Sequence, residues 1–587
     1  MNARPAMVSE RVLRQRPPTL CTITDRNLER TPQRGPRWRA LPGTSGVTSL
    51  CAKTSAMTAP WWRTAVIYQL YLRSFADGNG DGVGDLIGAR NHLSHIAELG
   101  CDAVWLSPIY PSPDDDFGYD VTDFMAVAST LGGDESFRAF LEESHRLGLR
   151  VILDLIPNHT STEHPWFRSS RDPRSLHRDY YVWQEGTANR VPNNWLNTLR
   201  RPAWKWDEGA GAWYLHQYFE SQADLNWHNL AVHDEFMTIL RHWLEIGADG
   251  FRIDVAHGLY KDRSLHNNPP ATSFDVQRDQ AFGQRQVFNT EQPELHPLYR
   301  SWRELADKYD ALLLGETYIL DNVRLARFYG DNDELQLCQN MMFTLSALDV
   351  DAMHSVVDAC EAVLPDGAQP SYFMSNHDLS RFPTRWANGD DRKIRLALLM
   401  LLTLRCTPVL YQGDEIGLQD SGVAPIDYLD QVAQIYPPGR DVARGYIPWS
   451  STGANRGFCP EGVRPWLHVS WPTVSSVDDQ GRDPSSTLSH TRGLLDLRRR
   501  LSDLRVGTYR SLPAPPGVWQ FRRGDATTVV LNGSDQSVTC SGHGRTVFHS
   551  AGLGVASATL GSVTHLEPWT GAVFTGTDDE GLGVAVG

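Results

Sequence analysis

"VILDLIPNH" (151–159) and "DGFRIDVAHG" (249–258) each set a near-continuous apolar run in front of a polar cluster. Runs of this kind suit strands buried on both faces, as in a parallel sheet, rather than the alternation of a half-exposed strand. Six further segments have the same build: "AVIYQLYLRSF" (65–75), "DAVWLSPIY" (102–110), "LLLGETY" (312–318), "NMMFTL" (340–345), "SYFMSNHD" (371–378) and "TPVLYQGDE" (407–415). Helical stretches such as "ARNHLSHIAELG" and "SFRAFLEESHRLGL" separate them. Eight parallel βα units predict an α/β fold, a closed (β/α)8 TIM barrel, whose active site is built at the C-terminal ends of the strands. Asp154, Asn158, His159, Asp254, Glu316, Asn376, His377 and Asp378 all fall at such ends.

Residues 161–228, Trp-rich and without helical or strand period, are too long for a simple βα loop and read as a subdomain inserted after the third strand. Past the helical segment "TRGLLDLRRRLSDL" the chain turns to short Val, Thr and Phe runs between Gly and Ser, so residues 504–587 read as a C-terminal β-sandwich. The barrel then comprises 57–160 and 229–503.

The 587 residues are 41% hydrophobic and carry a net charge of -15. Residues 1–56 hold ten Lys and Arg against three acids, leaving 45 against 67, or -22, for the remainder. Such acidity excludes a nucleic-acid-binding domain, which would be basic. The Arg- and Pro-rich 1–56 stretch has no apolar period and reads as a disordered or dispensable extension ahead of Met57. No run of eighteen apolar residues exists, so no membrane span is expected. Eight scattered cysteines without CxxC spacing point to reduced thiols and a cytoplasmic protein; a monomer or homodimer is expected.

"SFADGNGDGVGDLIG" (74–88) offers side-chain oxygens at Asp77, Asn79, Asp81 and Asp85, with glycines between. Calcium takes six to eight oxygens and would suit this spacing. An EF-hand would need Glu at the twelfth position, where Gly88 stands. A metal loop and a Gly/Asp turn held by its own hydrogen bonds both remain open on the loop alone.

Asp254, Glu316 and Asp378, at the ends of three different strands, supply what glycoside hydrolysis with retention needs: a nucleophile, an acid/base and a further anion. The motifs "DLIPNH", "GFRIDVAHG", "LLGETY" and "FMSNHD", in that order, resemble the four short motifs of the α-amylase superfamily, glycoside hydrolase family 13. "GYDVTDF", "QADLN" and "YQGDEIGL" resemble further segments of it, and "QADLN" is similar to the form found in the branch of α-glucosidases, oligo-1,6-glucosidases and sucrose- or trehalose-processing enzymes.

The resemblance implies Asp254 as nucleophile, Glu316 as general acid/base and Asp378 as transition-state stabiliser. It implies Arg252 beside the nucleophile, His159 and His377 bonded to the glucosyl ring, and Tyr119 stacked beneath it. Asp120 paired with Arg444, favoured over Arg440, would close the non-reducing end and make the enzyme exo-acting. The first βα loop of this branch carries a structural calcium, implying Asp77, Asn79, Asp81, the carbonyl of Val83 and Asp85 as ligands, with magnesium as the alternative ion. The absence of Lys from "DVAHG" points away from long polymers toward small α-glucosides. Val255 resembles the α-1,6-preferring type, whereas "FRIDVAHG" with the "GRD…PW" stretch looks more like bacterial α-glucosidases of actinobacterial type. The expectation is a retaining α-glucosidase with α-1,4 preference and some transglucosylation; oligo-1,6-glucosidase and trehalose- or sucrose-processing transferases or isomerases are the alternatives.

Overall fold

The computed structural model describes residues 59–471, 475–552, 563–577 and 581–586; the 1–56 extension lies outside them. Eight parallel strands form one sheet: β1 (Ile67–Leu70), β2 (Ala103–Leu106), β3 (Arg150–Leu155), β4 (Gly250–Ile253), β5 (Leu312–Gly315), β6 (Leu337–Cys338), β7 (Ser371–Phe373) and β8 (Thr407–Tyr411). β8 pairs with both β1 and β7, and a parallel bridge from Gln339 to Ser371 joins β6 to β7 and closes the barrel.

Alternation along the strands sorts the side chains. Ile67, Ala103, Trp105, Ile152, Leu312, Leu314, Leu337, Phe373 and Val409 make one cluster inside the barrel, while their neighbours Tyr68, Val104, Val151, Leu153 and Leu313 pack outward under the helices. Period two then carries Asp154 and Arg252 inward, and the register sets them side by side. Gly250 is required by close approach: a Cβ there would meet the Leu312 carbonyl oxygen at 2.5 Å.

One predicted strand is misplaced. "NMMFTL" is not β6 but a helix, Met341–Leu345, capped by Asn340, whose side chain accepts from the Phe343 N–H at 3.0 Å. β6 lies just before it and has two residues.

The insertion is tied to the barrel by the antiparallel pair His159–Ser161 and Gln222–Asp224. Its three-stranded sheet (183–185, 212–215, 204–207) encloses Trp195, Trp204, Trp213 and Leu215. C-terminally, a five-stranded and a three-stranded antiparallel sheet sandwich Val518, Val530, Val538, Cys540, Ala572 and Phe574. The other face of the larger sheet, with Trp519, Phe521, Val529 and Leu531, joins the main core. The six cysteines among the described residues are buried and unpaired. Among those residues no helix is long and apolar enough to cross a membrane.

Candidate active site

Arg252 organises the mouth of the barrel. Its Nη1 donates to Asp154 Oδ1 at 2.8 Å and to Asp254 Oδ1 at 2.6 Å, and its Nη2 lies 3.1 Å from Glu316 Oε2. The guanidinium lies over Trp105, 5.1 Å from the ring centroid. Asp154 Oδ2 accepts from the Tyr119 hydroxyl at 2.8 Å and more weakly from Trp105. One cation thus faces three carboxylates. Burial first, then the neighbouring acids Glu316 and Asp154, push the Asp254 carboxyl up, and Arg252 opposes them.

Backbone geometry sets the two acids beside one another. The Asp254 N–H donates to Leu155 O, the Glu316 N–H to Ile253 O and the Ala256 N–H to Glu316 O. Val255, between them, has φ +49°, a conformation costly for a β-branched residue. It turns the Val255 N–H onto Glu316 Oε2 at 3.0 Å. Both donors to Glu316 fall on Oε2.

Asp378 sits among cations. Arg440 Nη1 and Arg444 Nη2 approach its Oδ1 at 3.3 and 3.2 Å, and His377 Nε2 its Oδ2 at 3.2 Å. Burial pushes this carboxyl up, but His377 and the two arginines outweigh it and hold it below the ordinary range. The His377 ring is sandwiched between Tyr71 and Tyr119, at 5.5 and 5.2 Å. Burial lowers its pKa to about 3. Because Gln69 Nε2 donates to His377 Nδ1, the neutral ring carries its proton on Nε2, facing Asp378.

Three expected placements need correction. Asp120 does not meet Arg444. It is fully buried and braces its own loop, accepting from the Ser112 hydroxyl at 2.7 Å and from the Asp115 and Asp116 N–H groups. Burial lifts it to about 6. Arg444 lies behind Asp378 and donates to the His377 carbonyl at 2.9 Å. The closing pair is Asp116 with Arg440, at 2.7 Å, and Asp430 grips the same guanidinium at 2.7 Å. Nor does His159 offer a free nitrogen: its Nε2 bonds the Tyr119 carbonyl at 3.0 Å and its Nδ1 the Asn158 amide at 3.2 Å. Tyr119 lies against His377 rather than in the open pocket.

The cavity, ≈ 400 Å³, is lined by Asp116, Val255, Arg278, Glu316, Asp378 and Arg440 among others. Sequence reasoning passed over Asp116 and Arg278. No period distinguishes Asp116 from its neighbours in "PDDDFGYD", and Arg278 lies in a six-residue helix, Gln277–Phe282, too short to announce itself in the long connection after β4. Lys261 is buried, bridging Asp224 and Asn158 at 2.8 Å each, and so pins the insertion to the end of β3.

In the 77–85 loop every acid is turned onto the loop's own groups. Asp77 accepts from the Asn79, Gly80 and Gly82 N–H groups; Asp85 from those of Gly78, Asn79 and Gly88; Asp81 from Val83 N–H and the Asn79 amide. The oxygens are of the kind calcium takes, but among the described residues no three acidic, His or Cys side chains converge into a metal site.

The alpha-amylase catalytic-domain model matches residues 69–507. A probable alpha-glucosidase of Rhizobium meliloti is 35% identical over 89% of this chain and 98% of its own. An oligo-1,6-glucosidase of Parageobacillus thermoglucosidasius is 32% identical over 82% and 92%. Among solved structures, an alpha-glucosyl transfer enzyme superposes with TM-score 0.82 at 32% identity, covering 88% of this chain and 100% of that one. A trehalulose synthase gives 0.78 at 27% identity, with the same coverage. With its barrel, its three strand-end carboxylates and these matches, the chain belongs to the alpha-amylase family of glycoside hydrolases.

Proposed function

We propose that the protein is a retaining, exo-acting α-glucosidase that releases glucose from the non-reducing end of short α-glucosides. The observation that carries this reading is that Arg252 holds Asp254 and Glu316 together while Asp116 and Arg440 close the same cavity. Two acids on one guanidinium favour the narrow separation of retaining enzymes, about 5–5.5 Å. With all three acids ionised, the cluster around Arg252 would carry a charge of -2, so it favours holding one proton. The 2.6 Å contact from Arg252 orients Asp254 Oδ1 for attack, while Glu316, held through Oε2 alone, is the group left for the acid/base role.

In this mechanism Asp254 attacks the anomeric carbon as Glu316 protonates the glycosidic oxygen, and the aglycone departs. Glu316, now a base, takes a proton from water as the water oxygen displaces Asp254. Asp378, kept ionised by Arg440, Arg444 and His377, stabilises the positive charge that develops on the sugar. A sugar in place of that water gives transglucosylation. The relatives include both hydrolases and a transferase; the α-1,4 preference rests on the "FRIDVAHG" and "GRD…PW" stretches, and α-1,6 cleavage, to which Val255 and the oligo-1,6-glucosidase relative point, is the alternative. A structural calcium in the 77–85 loop rests on the spacing of its oxygens, and a cytoplasmic location on the unpaired buried thiols.

The test is Asp254→Asn with Glu316→Gln on maltose and on a nitrophenyl α-glucoside, alongside digestion of a reducing-end-labelled maltooligosaccharide. Asp254→Asn should abolish turnover of both substrates, whereas Glu316→Gln should spare glycosylation by the activated one. The labelled chain should shorten one glucose at a time. Normal maltose hydrolysis in either variant, or early internal cuts, would overturn the reading.

A further inference from the structure

Arg278 has a charge that the neutral-sugar reading does not use. It lies in the connection after β4, lining the same cavity as Glu316 and Asp378. Its Nη1 donates to the Tyr318 carbonyl at 3.0 Å and to His257 Nε2 at 3.3 Å, and its guanidinium stands over the Tyr318 ring at 5.2 Å. Tyr318 is two residues beyond Glu316, so Arg278 is anchored beside the proposed acid, on the side from which the aglycone leaves. His257 adds no charge there, since burial and Arg278 itself hold it well below its ordinary pKa.

Apart from Arg200, the other arginines around the cavity are spent. Arg252 holds three carboxylates and Arg440 three. Arg285 and Arg324, near Arg278, pair with Asp275 and Glu291. Among the described residues Arg278 makes no ion pair with a carboxylate, and neither does Arg200, a second lining residue stacked over Tyr436 at 5.4 Å. The further lining residues Thr198, Gln217, Gln286 and Thr290 are neutral. An arginine without a counter-ion in a concave pocket attracts a planar or tetrahedral anion.

We propose that the aglycone side takes α-glucosides whose leaving group bears an anion, a carboxylate or a phosphate, with Arg278 as the specificity-determining residue. This rests on the α-glucosidase reading. The glycosidic chemistry is unchanged: Glu316 still supplies the proton, and the anion on the departing group stays on Arg278.

The experiment compares matched pairs: maltobionate against maltitol, which differ only in a carboxylate for a hydroxymethyl, and maltose 1-phosphate against maltose. Wild type should favour the anionic member in kcat/KM by about tenfold, the worth of one charge-assisted hydrogen bond. The preference should shrink as salt rises. The quantity read in Arg278→Gln is the anionic-to-neutral ratio within the variant, so any loss common to both substrates cancels. That ratio should fall to near one, and Arg278→Lys should restore part of it. Preference in the carboxylate pair alone, or in the phosphate pair alone, identifies which anion is taken. Equal or better turnover of both neutral members by wild type, or a ratio unmoved by Arg278→Gln, overturns the proposal and leaves the α-glucosidase reading standing. Failure to cleave any of the four, or a nitrophenyl α-glucoside, overturns both.

Discussion

Arg440 and Arg444 differ in what they hold, so their removal should show in different kinetic constants. Among the described residues Arg440 is the only guanidinium paired with Asp116 and Asp430, and it shares Asp378. Arg440→Ala leaves buried carboxylates without a cation, and breaking a buried pair of this kind costs about 3–5 kcal/mol. Part of that should appear as a raised KM for maltose and part as a lowered melting temperature. Arg444 touches Asp378 and the His377 carbonyl but not Asp116, so Arg444→Ala should depress kcat more than it raises KM. Steady-state kinetics of the two variants check this, and an identical KM effect in both would contradict the assignment of the closing pair. At this scale the sequence is readable where a residue sits on a strand. Asp254, Glu316 and Asp378 follow runs whose burial fixes their direction. It is not readable in "PDDDFGYD" or "GRDVAR", where several acids face two arginines and only the folded loop decides that Asp116 reaches Arg440 while Asp120 turns inward to Ser112.

Strands buried on both faces announce themselves as apolar runs, which is why seven of the barrel strands could be located. β6 could not, because two residues make no run, and the apolar segment beside it is a helix started by Asn340. That cap also donates to Asn322 Oδ1 at 3.0 Å. Asn340→Ala should lower stability by about 1–2 kcal/mol through the lost cap and the stranded Asn322, read as a drop in melting temperature, and an unchanged value would show that the helix needs no cap. The 77–85 loop is the other element whose state the sequence leaves open. If calcium binds the folded loop, chelator should lower the melting temperature and added calcium restore it, by mass action on the folded state. Activity at low temperature should persist, because Asp254 and Glu316 use no metal. A melting temperature indifferent to both treatments would mean that the amide hydrogen bonds already seen there close the loop unaided.

For the whole molecule, acid stability follows from opposing sets of buried groups. Burial pulls His159 down to about 4 and His164, His377 and His490 to about 3, whereas in an unfolded chain a histidine takes its proton near ~6.5. The unfolded state therefore binds more protons, and these four groups subtract stability as pH falls from about 6.5 toward 3. Three carboxyls act the other way. Burial raises Asp120 and Asp154 to about 6 and Asp414 to about 7, so the folded state binds protons that the unfolded state does not, until unfolded carboxylates protonate near ~4. Between about pH 6 and 4.5 the three acids offset three of the four histidines, so stability should fall gently, by about one proton's worth or ~1.4 kcal/mol per pH unit. Below about pH 4 the acids stop offsetting the histidines, and Asp378, whose pKa is lowered in the fold, begins to subtract as well. The melting temperature should then fall steeply. His490 separates this effect from catalysis, since it is buried far along the chain against Phe548 and bonds the Arg395 carbonyl at 3.2 Å. His490→Gln should flatten the steep arm by about 1.4 kcal/mol per pH unit, one proton's worth, with the active-site groups untouched. Melting curves from pH 7 to 3 for wild type and this variant make the comparison. An arm of equal steepness in both, or a wild-type melting temperature that rises toward pH 3, would mean that buried neutral histidines do not govern the acid limit of the fold.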